Sequence, residues 1–371
     1  MSGAITGSIT GAVAGAGSPT LARLLANAGS VRAQLDTLTQ QVASGYVSPD
    51  IAGLGTGTPV ALSLAPALAA NGTYQANIAA AAGPMGVAQT ALSEISSIAS
   101  DFYAQTNNLN GLDAGTVDSV AASARDALAQ VANLLDSQDG NTYVFAGQDS
   151  ASPPVPNPDN IGTSGFATTI GAAVAGLAAN GAAATLATTL ATASSNAAGT
   201  SPFSAALNAA ASSGGDIRTL TETGAGAYVP SGIVANANAD VASAGGVTTG
   251  SYTRDILWGL ATLGSLSSSQ LTASGFSALV GDVRTGLGNA ITALNEDAGV
   301  MGDRQRAMQA TSTRLADAAT AMQSQLSSAE DVDAAATMTR LSAVQTQLQA
   351  SYQMIAAEQG LSLVKFLPLG G

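Results

Sequence analysis

Cysteine and histidine are absent from this chain, lysine occurs once (Lys365), tryptophan once (Trp258), and aromatic residues make up only 4%. These gaps remove whole classes of chemistry. Zinc held by His or Cys, a cysteine nucleophile, a Ser-His-Asp triad and a structural disulfide are all impossible within the 371 residues. A formal charge of −13 with few basic residues argues against nucleic acid, whose phosphates need clustered Lys and Arg. The first residues, MSGAITGSITGAVAGAGSPT, lack both a basic segment and a Leu-rich run, so 1–19 reads as a flexible, uncharged leader and not as a cleaved secretory signal. No stretch reads as a transmembrane helix. Residues 160–215 are uncharged, but Ala, Gly, Thr and Asn make them too weakly hydrophobic for stable insertion.

What is present is periodicity at the two ends. Leu287, Leu294, Met301, Met308, Leu315 and Met322 recur at a spacing of seven. Such a repeat keeps one narrow seam turned towards a partner helix. Near the amino terminus Leu21, Leu24, Ala28, Val31, Leu35, Leu38 and Val42 alternate steps of three and four, the same seam pattern. The carboxy-terminal stripe continues through Leu341, Val344, Leu348 and Ile355. Matching periods at both ends predict a chain folded back so that head and tail pair. Two ordinary amphipathic helices in a globular core would give the same short matches.

Between the ends, the first helix is expected to stop near Ser44, before Gly45 and Pro49, and a second to run from about Val60 to Leu109. Pro66 suits its first turn, whereas Pro84 predicts a kink or break. A third helix is expected from Thr116 to just before Asp139, and a fourth over Tyr252–Leu266. The stretches Thr142–Phe145, Asp216–Thr221, Ala227–Val229 and Gly232–Val234 read as strands, so 139–251 is expected to be a β-rich domain. Residues 166–215 fit either loop or a short Ala-rich helix. A break in the long carboxy-terminal helix is expected where Ser327 with Glu330 and Ser328 with Asp331 form overlapping capping boxes.

No enzymatic constellation stands out. Glu296 and Asp297 with Asp303 could hold a hard cation, but such charges beside Arg304 and Arg306 are ordinarily a solvated helix face. Arg254-Asp255 reads as a surface or interface ion pair, and Trp258 as a core anchor. Gly53, Gly55 and Gly57 neither follow a strand nor precede a phosphate-binding Lys. No cofactor is expected.

Several motifs resemble the bacterial flagellin family. The run SSAEDVDAAATMTRLSAVQTQLQASYQMIAAEQGLSLVKFL, Ser327 to Leu367, looks like that family's terminal helix, and LDTLTQQVASGYVSPDIAG, Leu35 to Gly53, is similar to its first helix end, with the usual paired acids reduced to Asp50. Within the family, Val131 to Val155, with Tyr143-Val144-Phe145-Ala146-Gly147 and downstream prolines, is similar to the branch of hook–filament junction proteins (hook-associated protein 3). Filament flagellin is the alternative branch. An Ala/Gly-rich surface fibre unrelated to flagella would explain the composition but not these motifs.

The resemblance implies a mainly α fold with an inserted β-rich domain: long amino- and carboxy-terminal helices paired in a coiled-coil-like bundle, the β domain projecting from mid-chain. Expected parts are a terminal assembly domain (20–45 and 330–371), a helical bundle (46–138 and 252–329) and the β-rich outer domain (139–251). It also implies an extracellular structural protein, exported by the flagellar apparatus with a chaperone masking its ends. Its partners would be itself, hook-associated protein 1 and flagellin, with neither nucleic acid nor membrane among them. Assembly contacts are expected from Leu21, Leu24, Val31, Leu35, Leu38, Val42, Leu341, Val344, Leu348 and Ile355. The terminal helices, with seams uncovered in a lone subunit, are expected to be partly disordered before assembly.

Overall fold

The structure is a computed structural model and describes residues 19–109, 114–237 and 240–364. The expected leader, apart from Pro19, and the end of the terminal motif from Lys365 lie outside the described residues. Two compact units are present: residues up to Ala69 together with those from Thr320 onward, and Ala70–Ala319.

The first unit is built on helix α1 (Pro19–Ser44) and helix α9 (Ala334–Val364), which pack on each other. Val47 N donates to Glu330 O (2.7 Å) and Val332 N to Gly45 O (3.0 Å), flanking a β-bridge between Tyr46 and Asp331. These bonds tie the end of α1 to the start of α9, so the two helices run antiparallel. Residues Ile51–Gly57 form 3-10 turns that bury Leu54.

The second unit holds most of the core. Helix α2 (Thr58–Thr106) contributes Ile78, Met85, Leu92, Ile95, Ala99 and Phe102 to it. Helix α3 (Ala114–Leu135) adds Val117, Val120, Leu128, Val131 and Leu135. Helix α8 (Phe276–Glu330) adds Phe276, Leu279, Val283, Leu287, Leu294, Met301 and Met308. Helix α7 (Tyr252–Gly264) is buried along its whole length. Its start is fixed by Ser251, whose side chain accepts from Arg254 N, and Asp255 sits in the positive first turn. Trp258 is fully buried, as a core anchor should be, and packs so close to the backbone of α8 that a Cβ on Gly286 would lie 2.5 Å from Trp258 Cζ3.

The expected β-rich domain is not there. Between 139 and 251 the regular structure is mostly helix, as α4 (Gly165–Ala175), α5 (Leu177–Ser194) and α6 (Ala205–Ser213), joined by long stretches of turn and irregular chain. Among the described residues the sheets are two small antiparallel pairs. Strand β1 (Gln138–Asp139) pairs with β2 (Thr142–Tyr143), and β3 (Leu220–Gly224) pairs with β4 (Ala227–Pro230). Residues 232–234, expected as a strand, supply only an isolated bridge at Val234. Of the two readings of 166–215, loop or Ala-rich helix, the helical one holds, and α5 shows why it left no clear period. Its buried face includes Thr185, Thr189 and Thr192, whose hydroxyls bond back to Gly181 O, Leu186 O and Thr188 O. Those internal bonds let a polar residue type occupy a core position.

Helix α2 also departs from expectation, passing Pro66 and Pro84 without a break. An interior proline costs about 3 kcal/mol. Burial of Ile78 and Met85, on either side of Pro84, offsets it at roughly 1.5–3 kcal/mol each. The proline in the first turn is Pro59, not Pro66. Against the expectation of no such segment, Ile51–Thr106 is long and apolar enough to cross a membrane by length and composition. Only 17% of its most apolar stretch is buried, whereas further along the same helix Ile78, Met85, Leu92, Ile95 and Phe102 lie in the core.

Candidate assembly surface

Along α1 the positions at least partly withdrawn from solvent include Leu21, Leu24, Ala28, Val31, Leu35, Leu38 and Val42, which is the seam read from the sequence. Along α9 they include Leu341, Val344, Leu348 and Ile355, joined by Thr337, Ser351 and Glu358. These last three complete the alternation of four and three residues, but as polar types they carry no hydrophobic signal. The periodicity alone would have placed them.

The seven-residue repeat in α8 behaves differently. Leu287, Leu294, Met301 and Met308 are buried in the core of the Ala70–Ala319 unit. The helix packed on α1 is therefore α9, and the repeat of 287–308 is an ordinary core stripe.

The helix break falls where it was expected, but its cap does not. Ser327, Ser328 and Glu330 lie in the last turns of α8, and Ser328 Oγ donates to Ser324 O within that helix. Ser327 Oγ donates to Asp331. The residue that caps α9 is Asp333, whose Oδ1 accepts from Ala336 N at 3.0 Å. The helix is broken by the Tyr46–Asp331 bridge, which draws the backbone of 330–332 towards 45–47. Nothing near Ser327 in sequence could signal a contact with residues so distant along the chain.

This unit buries very little. Among its described residues the buried apolar side chains are Ala28, Val31, Leu54, Ala61 and Ile355. It leaves Leu25, Tyr46, Ile51, Val60, Leu62, Met338, Tyr352 and Met354 exposed, against only Leu220 and Tyr228 among the described residues of the other unit. Clusters of exposed apolar side chains are characteristic of interaction surfaces. An open groove of mixed lining, with Val47, Leu54, Val60 and Ala329 beside Thr56, Gln325 and Ser328, lies in the same unit.

The groups weighed for chemistry are structural. Asp297 is buried and accepts from Tyr252 Oη (2.9 Å) and Asp240 N (3.0 Å), while Asp303 pairs with Arg306. Burial, and then the Asp297 charge, push the Tyr252 phenol well above its usual range, so it stays a donor. Arg254 and Asp255 are both buried, contrary to the surface pair expected. Arg254 donates to Asn236 O, Ala193 O and Asn196 Oδ1, and lies over the Phe203 ring. Burial pulls its pKa down to about 10, which leaves it charged near neutrality. Asp255 accepts from Thr248 Oγ1 and from Thr249 N and Oγ1. Together they lash the loops around 193–196, 236 and 248–249 to α7. Among the described residues no three acidic groups converge as a metal site.

No curated protein matches the chain. Residues 285–367 match the family model of the bacterial flagellin C-terminal helical region, so this stretch is similar to that family's terminal helices.

Proposed function

We propose that the protein is the hook–filament junction subunit of a bacterial flagellum, joining hook-associated protein 1 on one side to the flagellin filament on the other. The observation that carries its assembly role is the incomplete burial of the α1–α9 unit. Of the large apolar side chains left exposed among the described residues, eight of ten lie there. A helical pair of this kind gains roughly 1.5–3 kcal/mol for each such side chain that a neighbour covers fully, so copies of the chain favour a polymer. Leu21, Leu24, Val31, Leu35, Leu38, Val42, Leu341, Val344, Leu348 and Ile355 form the seam that holds the pair for that contact.

The junction role, over that of filament subunit, is supported by the likeness of Tyr143–Gly147 and the prolines after it to the junction branch. Export through the flagellar apparatus, with a chaperone covering the exposed apolar residues until assembly, belongs to the same reading. Immunogold labelling of intact flagella tests it. A thin labelled zone at the hook end is the expected result, and label along the whole filament would identify the filament subunit instead.

A further inference from the structure

The Ala70–Ala319 unit carries an open cavity of about 700 Å³ between α2 and the two small sheets. The helix presents Asn77, Ala81 and Pro84 to it, and Tyr143 and Gln148 line the side built by the Tyr143–Gly147 motif. That motif divides its labour. Phe145 is buried in the core while Tyr143 faces the cavity. Gly147, at φ +63°, lets the chain pass where a Cβ would lie 2.5 Å from Ile217 O. Leu220 and Tyr228 complete the wall. They are also the two large apolar side chains that this unit leaves exposed among its described residues, and both open onto the same cavity.

The chemistry of the lining narrows the occupant. Its charged residues are already engaged: Arg218 with Asp216 (2.7 Å) and Asp240 (3.2 Å), and Glu222 Oε1 with Gly226 N (3.4 Å). An anionic ligand would therefore find no spare countercharge, because Arg218 is already paired. An extended peptide would need a free strand edge. On β3 the Glu222 carbonyl is already taken by Asn77 Nδ2 at 3.2 Å, which removes one of the acceptors such a peptide would use. What remains is neutral: two tyrosine rings, a leucine face, and the hydroxyl and amide groups of Tyr143, Tyr228, Gln148 and Ser150. Flat aromatic faces beside uncharged donors and acceptors suit a ligand that is itself a sheet of C–H groups edged with hydroxyls.

We propose that this cavity binds a neutral saccharide, stacked on Tyr228 and Tyr143 and hydrogen-bonded by Gln148 and Ser150. Saturation-transfer difference NMR on the full chain tests it, with chitotetraose, cellotetraose and maltotetraose as neutral probes and a heparin tetrasaccharide as the acidic one. At least one neutral probe receives saturation and the heparin probe does not. Tyr228→Ala weakens the response by roughly tenfold, and Tyr228→Phe retains most of it. Tyr228 is exposed, so both variants are expected to fold, which circular dichroism checks. Silence from all three neutral probes, an equal response from heparin, or an undiminished response in Tyr228→Ala each overturns the proposal. Sedimentation of the same variants covers the remaining occupant: self-association lost with Tyr228→Ala would assign the cavity to a second copy and overturn the saccharide reading.

Discussion

Replacing Ile355 by Ala isolates the energetics of the α1–α9 pair. Among the described residues Ile355 is the one large apolar side chain of α9 that is nearly fully withdrawn from solvent, at 8% exposure, and α9 packs on α1. Truncating a buried isoleucine to alanine costs about 2–5 kcal/mol, depending on how far the site collapses. Two helices with few further layers close over a gap readily, so the lower end, about 2 kcal/mol, applies. That is a factor of roughly thirty in the opening equilibrium. Native-state hydrogen exchange on dilute, unassembled protein reads it out. Amides in the middle of α1 and α9 should exchange roughly thirtyfold faster in Ile355→Ala, while those of α3 and α7, in the other unit, keep their rates. Acceleration spread evenly over α3 and α7 would refute the separation into two energetic units. Unchanged rates in α1, with α9 alone loosened, would refute the pairing itself.

Two further outcomes follow from the second unit. Burial pushes the Asp136 carboxyl up from 3.8 to about 6, although its Oδ1 accepts from Val155 N. The folded state therefore binds this proton more tightly than the unfolded one. The associated stability is fully present below 3.8 and is lost as pH rises through about 6. Asp136→Asn, which keeps the acceptor for Val155, should be more stable than the parent near neutral pH and show a flatter decline from about pH 4 to about pH 6 in chemical denaturation. An unchanged pH profile would refute it. Gly286→Ala should destabilise by about 1–3 kcal/mol, because the new methyl meets the buried Trp258 ring. A shifted Trp258 emission together with a lowered denaturation midpoint is the expected pair of signals, and neither changing would show that α7 and α8 have room to separate.

The pattern of legibility in this chain follows residue chemistry. The α1 seam was readable because Leu and Val mark it at every turn, and most of α9 for the same reason. Thr337 and Ser351 escaped notice, since a seam position filled by a small polar residue leaves no hydropathy signal and only the spacing of its neighbours points to it. The same blindness left 166–215 undecided between loop and Ala-rich helix, because Thr185, Thr189 and Thr192 fill the buried face of α5, and let short strand signals stand for a whole β domain. Local signals for the neighbouring helices did exist: Ser164 before Phe166, Ile170 and Val174 in steps of four, and Ser204 before Leu207. Pro84 misled because the rule for proline is local while the burial that overrides it is not. The cap of α9 moved to Asp333 because the break is made by residues 45–47, a contact that sequence distance conceals.

The pairing of α1 with α9 has a consequence for the order in which the protein is made. Everything α1 needs for its seam is encoded some three hundred residues downstream, from Ala334 to Val364. During synthesis the Ala70–Ala319 unit is complete before that partner emerges, and domains generally fold as units as they appear. The nascent chain thus carries a finished body with an unmatched helix ahead of it, and the clasp can shut only once Ala334–Val364 has emerged. Any factor that must hold the amino-terminal segment open has that whole interval in which to act.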